Sequence, residues 1–259
     1  MLDEIIMSKH EEVARAQKAL SLEDLQARLA SHQTERSFRN AIAQPDTLSL
    51  IGELKRKSPS KGMLRERFDP VSLAQTLQEA GASALSVLTD EPYFGGQLEF
   101  LRDVKQFTEV PVLRKDFLVD AYQVYEAAAH EADAVLLIVC ILEEERLIEC
   151  LQVAATLGLD ALVEVHNEGE LKVALRNGAS TIGVNHRDLK TLTIDLTVTE
   201  RLVPKIPSGK VIVAESGLQT AEDIAKMKAL GVHGVLIGEA LMTAADPAVK
   251  IRELFRDVW

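Results

Sequence analysis

The sequence has few cysteines and no histidine pattern of the kind that binds a metal. Its 259 residues include two cysteines, Cys140 and Cys150, which are too far apart for a CxxC pair. None of the six histidines is part of an HxH or HExxH spacing. Disulfide frameworks and zinc sites depend on such spacings, so we expect neither in this protein. Free thiols in this number suit a reducing compartment.

The sequence also lacks a long apolar run and an excess of basic residues. No run approaches the roughly 18 residues of a membrane span, and the N-terminus has no signal-peptide pattern. With 29 basic and 40 acidic residues the formal net charge is −11, whereas a duplex-binding surface needs clustered cations. We therefore expect a cytoplasmic protein with neither a membrane nor a nucleic acid as partner.

The first 46 residues differ in pattern from the rest. Apolar residues recur at helical spacing from Leu2 to Leu20, which predicts one amphipathic helix. A second helix is predicted from Ser21, with Asp24 three residues later as in a capping box, and Pro45 ends the helical segment. We expect residues 1–46 to form a helical extension that packs on a catalytic domain of residues 47–259.

After Pro45, short apolar runs alternate with helical stretches. Eight such runs occur, with ends 21 to 35 residues apart, so each interval has room for a turn, a helix and a turn. They are TLSLIGEL, ALSVLTD, VPVLRKDF, AVLLIV, DALVEVH, TIGVNHRD, KVIVAES and GVLIGEAL. This pattern predicts an α/β fold, a (β/α)8 TIM barrel with the N-terminal helical extension. An open doubly wound sheet is the alternative, but the GxGxxG turn typical of its first strand is missing.

Polar side chains gather at the predicted carboxyl ends of the strands, where TIM barrels place their chemistry. Residues two apart share a face of a strand, so Glu53 points to the same side as Lys55. Ammonium and carboxylate groups that converge shift each other's pKa, which suits acid and base catalysis. An ion-pair network that closes the barrel is the alternative. The strand-end residues are Glu53, Lys55, Lys115, Glu164, Asn185, Arg187, Glu215 and Ser216.

Two loop regions predict an anion site. The basic run KRKSPSK directly follows a buried strand in an acidic chain, which favours an active-site loop over a nucleic-acid patch. Gly217 and Gly238 follow the seventh and eighth strands, where barrels often hold phosphate on backbone N–H groups. Simple turns are the alternative at both glycines. Phe94, before a Gly-Gly pair, is a candidate cover for an aromatic ligand or else a loop anchor.

Seven motifs, in this order and spacing, resemble the indole-3-glycerol phosphate synthase family of tryptophan biosynthesis. They are IGELKRKSPSKG, SVLTDEPYFGG, VLRKDFLVDAYQVYEA, LVEVHN, GVNHRDL, AESGL and LIGEALM, and the match runs from about Leu48 to Met242. The resemblance implies a carboxy-lyase without a cofactor. Its substrate is a small phosphosugar, 1-(2-carboxyphenylamino)-1-deoxyribulose 5-phosphate, and its products are indole-3-glycerol phosphate, carbon dioxide and water.

The resemblance also implies roles for individual residues. Lys115 is the general acid for the ribulose carbonyl, and Glu164 is the base for the later dehydration. Lys55 meets the substrate carboxylate, while Glu53 and Asn185 hold sugar hydroxyls and position the general acid. The phosphate-binding residues are Ser58, Ser216, Gly217, Gly238 and Glu239, and the other substrate-binding residues are Pro59, Phe94, Phe117, Leu136 and Arg187.

Two positions depart from the family's pattern. Glu239 stands where some members have a small hydroxyl residue, so we expect only its backbone N–H to contact phosphate and its carboxylate to turn away. His186 stands where others have Asn or Ser, and its outward orientation predicts no effect on the site. A neighbouring phosphosugar isomerase and a catalytically silent phosphate-binding barrel stay open as other functions. We expect a monomer, with a dimer as the alternative.

Overall fold

The computed structural model describes residues 1–29, 34 and 36–259, and its centre is a closed barrel of eight parallel strands. These strands are rich in Val, Ile and Leu because helices cover their outer face and side chains fill the interior. A two-stranded antiparallel hairpin follows the first barrel strand. In chain order the strands are β1 (Ser49–Leu54), β2 (Lys57–Ser58), β3 (Gly62–Met63), β4 (Ala82–Leu88), β5 (Val112–Lys115), β6 (Ala134–Ile138), β7 (Asp160–Val165), β8 (Thr181–Asn185), β9 (Val211–Glu215) and β10 (Gly234–Ile237).

The barrel closes where its first strand pairs with its last. Ile51 of β1 lies beside Leu236 of β10 on one side and Ala84 of β4 on the other. Every barrel strand therefore has two neighbours, which excludes the open sheet and confirms the predicted (β/α)8 architecture. The β2–β3 hairpin falls in the basic segment after β1 and stands outside the ring.

Helices separate the barrel strands and shield them from water. Side chains cap several of them: Asp69 accepts from the N–H of Val71, and Thr220 forms a capping box with Asp223. The helices are α1 (Leu2–Ala19), α2 (Leu22–Arg28), α3 (Phe38–Ile42), α4 (Pro70–Glu79), α5 (Glu91–Phe94), α6 (Phe100–Phe107), α7 (Tyr122–Ala129), α8 (Glu144–Thr156), α9 (Glu168–Arg176), α10 (Thr197–Leu202), α11 (Ala221–Ala229), α12 (Glu239–Met242) and α13 (Pro247–Phe255). Within the described ranges, none of them has the length and apolar character that a bilayer span requires.

The N-terminal segment contains the two predicted helices and a third, short one. Ser21 caps α2 by accepting from the N–H of Asp24 at 3.1 Å, and its hydroxyl donates to the Asp24 carboxylate. The additional helix, α3, is capped by Ser37 and buries Phe38 and Ile42 among the side chains that fill the barrel. Five residues are too few to show a helical period in the sequence, so the pattern could not reveal α3.

A buried ionic cluster stabilises the amino-terminal end of the barrel. Asp133, directly before β6, accepts from the N–H of Val112 at 2.8 Å and from the Thr34 hydroxyl at 2.6 Å. It also pairs with Lys105. Burial lowers the pKa of Lys105, so its ammonium depends on the Asp133 carboxylate. The cluster lies at the end of the barrel opposite to the carboxyl ends of the strands. Residues at that end of a TIM barrel contribute to stability rather than to catalysis.

Replacing Asp133 by Ala is expected to lower the free energy of unfolding by about 3–5 kcal/mol, because it leaves the half-buried Lys105 ammonium and the buried N–H of Val112 without a partner. Urea unfolding followed by circular dichroism measures this loss. The control is Glu131→Gln, which breaks an exposed pair with Arg102 and should cost less than about 1 kcal/mol. Equal losses of unfolding free energy in the two variants would contradict the stabilising role of Asp133.

Candidate active site

A cavity opens at the carboxyl ends of the barrel strands. It has a volume of about 900 Å³, counting the part that is open to solvent. The structure brings most of the predicted site residues together around it, although they come from the eight barrel strands and the segments that follow them. Those lining the cavity are Glu53, Lys55, Phe94, Lys115, Phe117, Leu136, Glu164, Asn185, Arg187, Ser216, Gly217, Gly238 and Glu239.

Ser58 and Pro59 line a neighbouring cavity instead. They lie in the β2–β3 hairpin, where the Ser58 hydroxyl accepts from the N–H of Lys61 at 3.3 Å. Leu2 and Ile5 of α1 line the other side of this second cavity. The hairpin and the N-terminal helix therefore face the same cavity beside the barrel mouth. The two cavities share the wall residues Lys55, Phe94, Phe117, Arg187, Leu189 and Glu239.

The Lys115 ammonium lies between two buried glutamates. Its Nζ is 3.6 Å from Glu164 Oε2 and 3.8 Å from Glu215 Oε2, and each glutamate is 1% exposed. Burial opposes the charge of Lys115, but attraction to Glu164 and Glu215 outweighs it and raises the pKa of Lys115 above its ordinary value. Lys115 is therefore an ammonium at neutral pH.

The two glutamates differ in their protonation state. Burial opposes the ionisation of Glu164, but the Lys115 ammonium and the adjacent His166 outweigh it and lower the pKa of Glu164 to about 2. Burial, followed by the negative charge of Glu164, raises the pKa of Glu215 to about 8. At neutral pH these three residues therefore comprise one ammonium (Lys115), one carboxylate (Glu164) and one neutral carboxyl group (Glu215).

Two glycines make room for the buried carboxyl groups. A Cβ at Gly183 in β8 would overlap Glu215 Oε1, and a Cβ at Gly238 would overlap Glu53 Oε2. Within the described part of the chain, neither oxygen of Glu215 has a hydrogen-bond partner. A buried polar group of this kind is ready to bind a ligand, because it has no partner to give up.

A second ion pair lies at the end of the first strand. The Lys55 ammonium is 2.5 Å from Glu53 Oε2, and the lysine side chain is the more exposed of the two. Lys55 can therefore meet a charged group that enters the cavity. On the opposite side, Asn185 Oδ1 accepts from the N–H of Arg187 at 3.0 Å, which fixes the orientation of the amide.

The loop after β9 has a strained backbone that a buried histidine supports. Ser216 and Gly217 both have positive φ, 68° and 79°, a conformation that serine rarely adopts. His186 Nδ1 lies 2.8 Å from Ser216 O, and its Nε2 lies 2.5 Å from the Thr199 hydroxyl. Burial lowers the pKa of His186, so the ring is neutral. His186 does point outward, but the outside of a barrel strand faces the helix layer, where its ring supports the Ser216 loop.

Glu239 lies at the edge of the cavity between two cations. Its Oε1 is 3.6 Å from Lys61 Nζ, and its Oε2 is 3.6 Å from an Arg187 nitrogen. Its carboxylate thus faces the mouth of the barrel rather than turning away from it. The paired cations offset its negative charge, so a phosphate can approach the neighbouring backbone N–H groups with less repulsion.

Two phenylalanines form an apolar wall of the cavity, which we call the aromatic pair. Phe94 ends α5 and Phe117 follows β5, and their ring centroids lie 6.0 Å apart at an interplanar angle of 38°. Leu136 and Ile138 of β6 continue this wall. Such a surface suits a flat aromatic ligand.

Among the described residues, one group has the composition of a metal site. The donor atoms of Cys140, His166 and Glu170 lie within 4.8 Å of one another. Burial opposes the charge of His166, but hydrogen bonding to Cys140, Glu164 and Glu170 raises the pKa of His166 to about 12. The His166 ring lies 3.2 Å from Glu164 Oε1 and 2.9 Å from Glu170 Oε2, so the group forms an ion-pair network beside Glu164.

Glu215 and Asp116 are cavity residues for which the resemblance implies no role. The strand-end pattern contains Glu215, but nothing in that pattern distinguishes a neutral carboxyl group from an ionised one. Asp116 is adjacent to Lys115 and has the opposite strand parity, so the alternation rule assigns it to the far face. Its position becomes clear only from its partners Thr89 and Arg114.

Sequence and structure comparisons identify relatives of this chain. The family profile described as indole-3-glycerol phosphate synthase matches residues 2–254. The indole-3-glycerol phosphate synthase of Clostridium acetobutylicum is 42% identical over 258 residues, which is 99% of this chain and 97% of that protein. The one from Dehalococcoides mccartyi strain CBDB1 is 51% identical over 208 residues, 79% of this chain and 80% of that protein.

Solved structures show the same fold at low identity. The 3-hexulose-6-phosphate synthase from Salmonella typhimurium has a TM-score of 0.65 at 14% identity, and the match covers 81% of this chain and 97% of that one. This likeness supports the barrel alone. The profile match and the match to the 42% identical relative extend over nearly the whole sequence. The chain belongs to the indole-3-glycerol phosphate synthase family.

Proposed function

We propose that the protein converts 1-(2-carboxyphenylamino)-1-deoxyribulose 5-phosphate to indole-3-glycerol phosphate, carbon dioxide and water, in tryptophan biosynthesis. Membership of the family supports this reaction. The observation that carries the mechanism is the position of the Lys115 ammonium, within 4 Å of the buried Glu164 and Glu215. A phosphosugar isomerase would need one acid and one base, but not the cation that Lys55 offers to a substrate carboxylate.

Ring closure begins when the ring carbon that bears the carboxylate attacks the ribulose carbonyl. Negative charge grows on the carbonyl oxygen, and positive charge grows on the ring. Lys115 donates a proton to the oxygen as general acid, and the Glu164 carboxylate stabilises the positive ring. Loss of carbon dioxide then restores the aromatic ring, so the substrate itself supplies the driving force.

The dehydration that follows needs a base and an acid. Glu164 is the base, since it is ionised at neutral pH. Lys115 is the acid for the leaving hydroxyl once it has regained the proton that ring closure used. Glu215 is protonated at neutral pH and lies 3.8 Å from Lys115 Nζ, and it supplies that proton.

The rest of the cavity orients the substrate. The aromatic pair and Leu136 pack against the anthranilate ring, and Lys55 meets its carboxylate. Glu53 and Asn185 bind the sugar hydroxyls. The backbone at Ser216, Gly217, Gly238 and Glu239 holds the phosphate, with Arg187 at its edge and the Ser58–Pro59 turn over the substrate.

We also propose that residues 1–46 form an extension that packs on a catalytic barrel of residues 47–259. The Tyr122 hydroxyl, for instance, donates to Leu20 O at 3.0 Å and so joins the barrel to the end of α1. The family's biosynthetic role supports a cytoplasmic location. We propose a monomer in solution, which sedimentation equilibrium tests directly against a dimer.

Replacing Lys115 by Met is expected to lower kcat by about 10²–10⁴-fold, because the general acid is lost. The measurement is the fluorescence of the indole product, with chelator-treated protein. Lys228→Met is the control, since its ammonium contacts Val258 O away from the cavity, and it should retain full activity. A wild-type protein that binds the phosphosugar without any indole formation would refute the enzyme and favour a silent phosphate-binding barrel.

Replacing Gly183 by Ala is expected to lower kcat/KM by about 10–100-fold, because the new methyl group displaces the Glu215 carboxyl group. Stability should change little, since Glu215 Oε1 ends a flexible side chain. The double variant with Glu215→Gln provides the control. If Gly183 acts through Glu215, the double variant should be no slower than Glu215→Gln alone, whereas additive losses would contradict the idea.

A further inference from the structure

A lysine of the N-terminal helix is buried against the barrel. The Lys9 side chain in α1 is 1% exposed, and its Nζ lies 3.0 Å from Asp90 Oδ2 and 2.9 Å from Asp116 Oδ1. Glu12, at the surface of the same helix, is a third partner at 3.0 Å. Removing an ammonium from water is costly, and an apolar residue could seat a helix at lower cost. The burial of Lys9 therefore indicates a role beyond the packing of the helix.

Lys9 bridges two buried aspartates, of which Asp116 is ionised. Burial opposes the charge of Asp116, but Arg114 and Lys9 outweigh it and lower the pKa of Asp116. Asp116 Oδ2 also accepts from the Thr89 hydroxyl at 2.6 Å. Lys9 is the group that links this carboxylate to Asp90, since its ammonium contacts both.

Asp90 determines where Phe94 lies. It lies two residues after the end of β4 and caps α5, because its Oδ1 accepts from the N–H of Tyr93 at 2.8 Å and of Phe94 at 3.2 Å. Its other oxygen faces Lys9. The Lys9 ammonium therefore holds the Asp90 carboxylate in place, and this carboxylate in turn binds the backbone of Phe94.

Asp116 has the same relation to Phe117. Its Oδ1 accepts from the N–H of Phe117 at 2.8 Å, and this oxygen is the one that lies 2.9 Å from Lys9. Asp116 also directly follows Lys115 in the chain. One ammonium thus holds the two carboxylates that bind the backbones of both members of the aromatic pair.

We propose that Lys9 is a positioning residue that sets the spacing of Phe94 and Phe117 for the aromatic ring of the substrate. This inference rests on the proposed function, in which the aromatic pair packs against the anthranilate ring. Without the ammonium, the two buried aspartates lose the partner that links them, so both backbone segments shift. The N-terminal helix thereby shapes a wall of the barrel cavity that it does not itself line.

The test compares Lys9→Met with the control variant Glu12→Gln. Glu12 contacts Lys9 but neither of the two aspartates, so its loss should leave the link between them intact. Two ligands are titrated by calorimetry: the substrate analogue whose carbonyl is reduced to a hydroxyl, which carries the ring, and inorganic phosphate, which does not. Lys9→Met is expected to lower the affinity for the ring-bearing analogue by about tenfold and to raise the KM for the substrate by a similar factor. The affinity for phosphate should change by less than about twofold. Glu12→Gln should resemble wild type for both ligands.

Unchanged affinity of Lys9→Met for the ring-bearing analogue would overturn the proposal and leave Lys9 as a packing residue only. An equal loss for both ligands would also overturn it, because a general distortion of the site has no preference for the ring. If Lys9→Met does not fold, Lys9→Gln replaces it, since its amide can donate to one carboxylate. The proposal then predicts a smaller loss, again confined to the analogue.

The same experiment separates this proposal from the proposed function. Wild-type turnover of the carboxyphenylamino substrate tests the reaction without reference to Lys9. If the wild-type protein forms no indole product, the proposed function fails. The effect of Lys9→Met on binding of the ring-bearing analogue is still measured in that case, and it decides the positioning role independently.

Discussion

The active site depends on the crowding of three ionisable groups, because the Lys115 ammonium lies within 4 Å of two buried glutamates. Lys115 lies 3.6 Å from Glu164 and 3.8 Å from Glu215. Burial and the negative charge of Glu164 outweigh the attraction of Lys115 for Glu215, so this second carboxyl group keeps its proton. An acid, a base and a reserve proton thus arise from the geometry of three strand ends. The closed barrel supplies this geometry, and Gly183 supplies the space for Glu215.

The groups that hold the site in place lie outside the cavity. His186 sits between the barrel and its helices and supports the strained Ser216 backbone. Lys9 reaches in from the N-terminal helix to the aspartates that bind the aromatic pair. Each acts through a backbone segment rather than through contact with a ligand. Precise sites commonly depend on such supporting groups, because a loop alone would leave the reacting groups loosely placed.

Much of the fold was predictable because it is periodic. Apolar strand runs at regular intervals have few solutions other than a closed barrel, and strand alternation places Lys115 and Glu164 at its mouth. The residues that resisted prediction depend on contacts between distant segments. Parity shows that His186 points outward, but not that Thr199 and Ser216 meet it there. The neutral state of Glu215 likewise follows from the distances among three strands that no local pattern contains.

The protonation of Glu215 is the central claim, and infrared spectroscopy tests it most directly. Spectra of the ligand-free protein, titrated from neutral to alkaline pH, are compared with those of Glu215→Gln. A protonated carboxyl absorption is expected at neutral pH, and it should be missing in the variant and disappear in the wild type with a midpoint of about 8. The absence of that absorption at neutral pH, or its loss in the ordinary range of glutamic acid, would contradict the account.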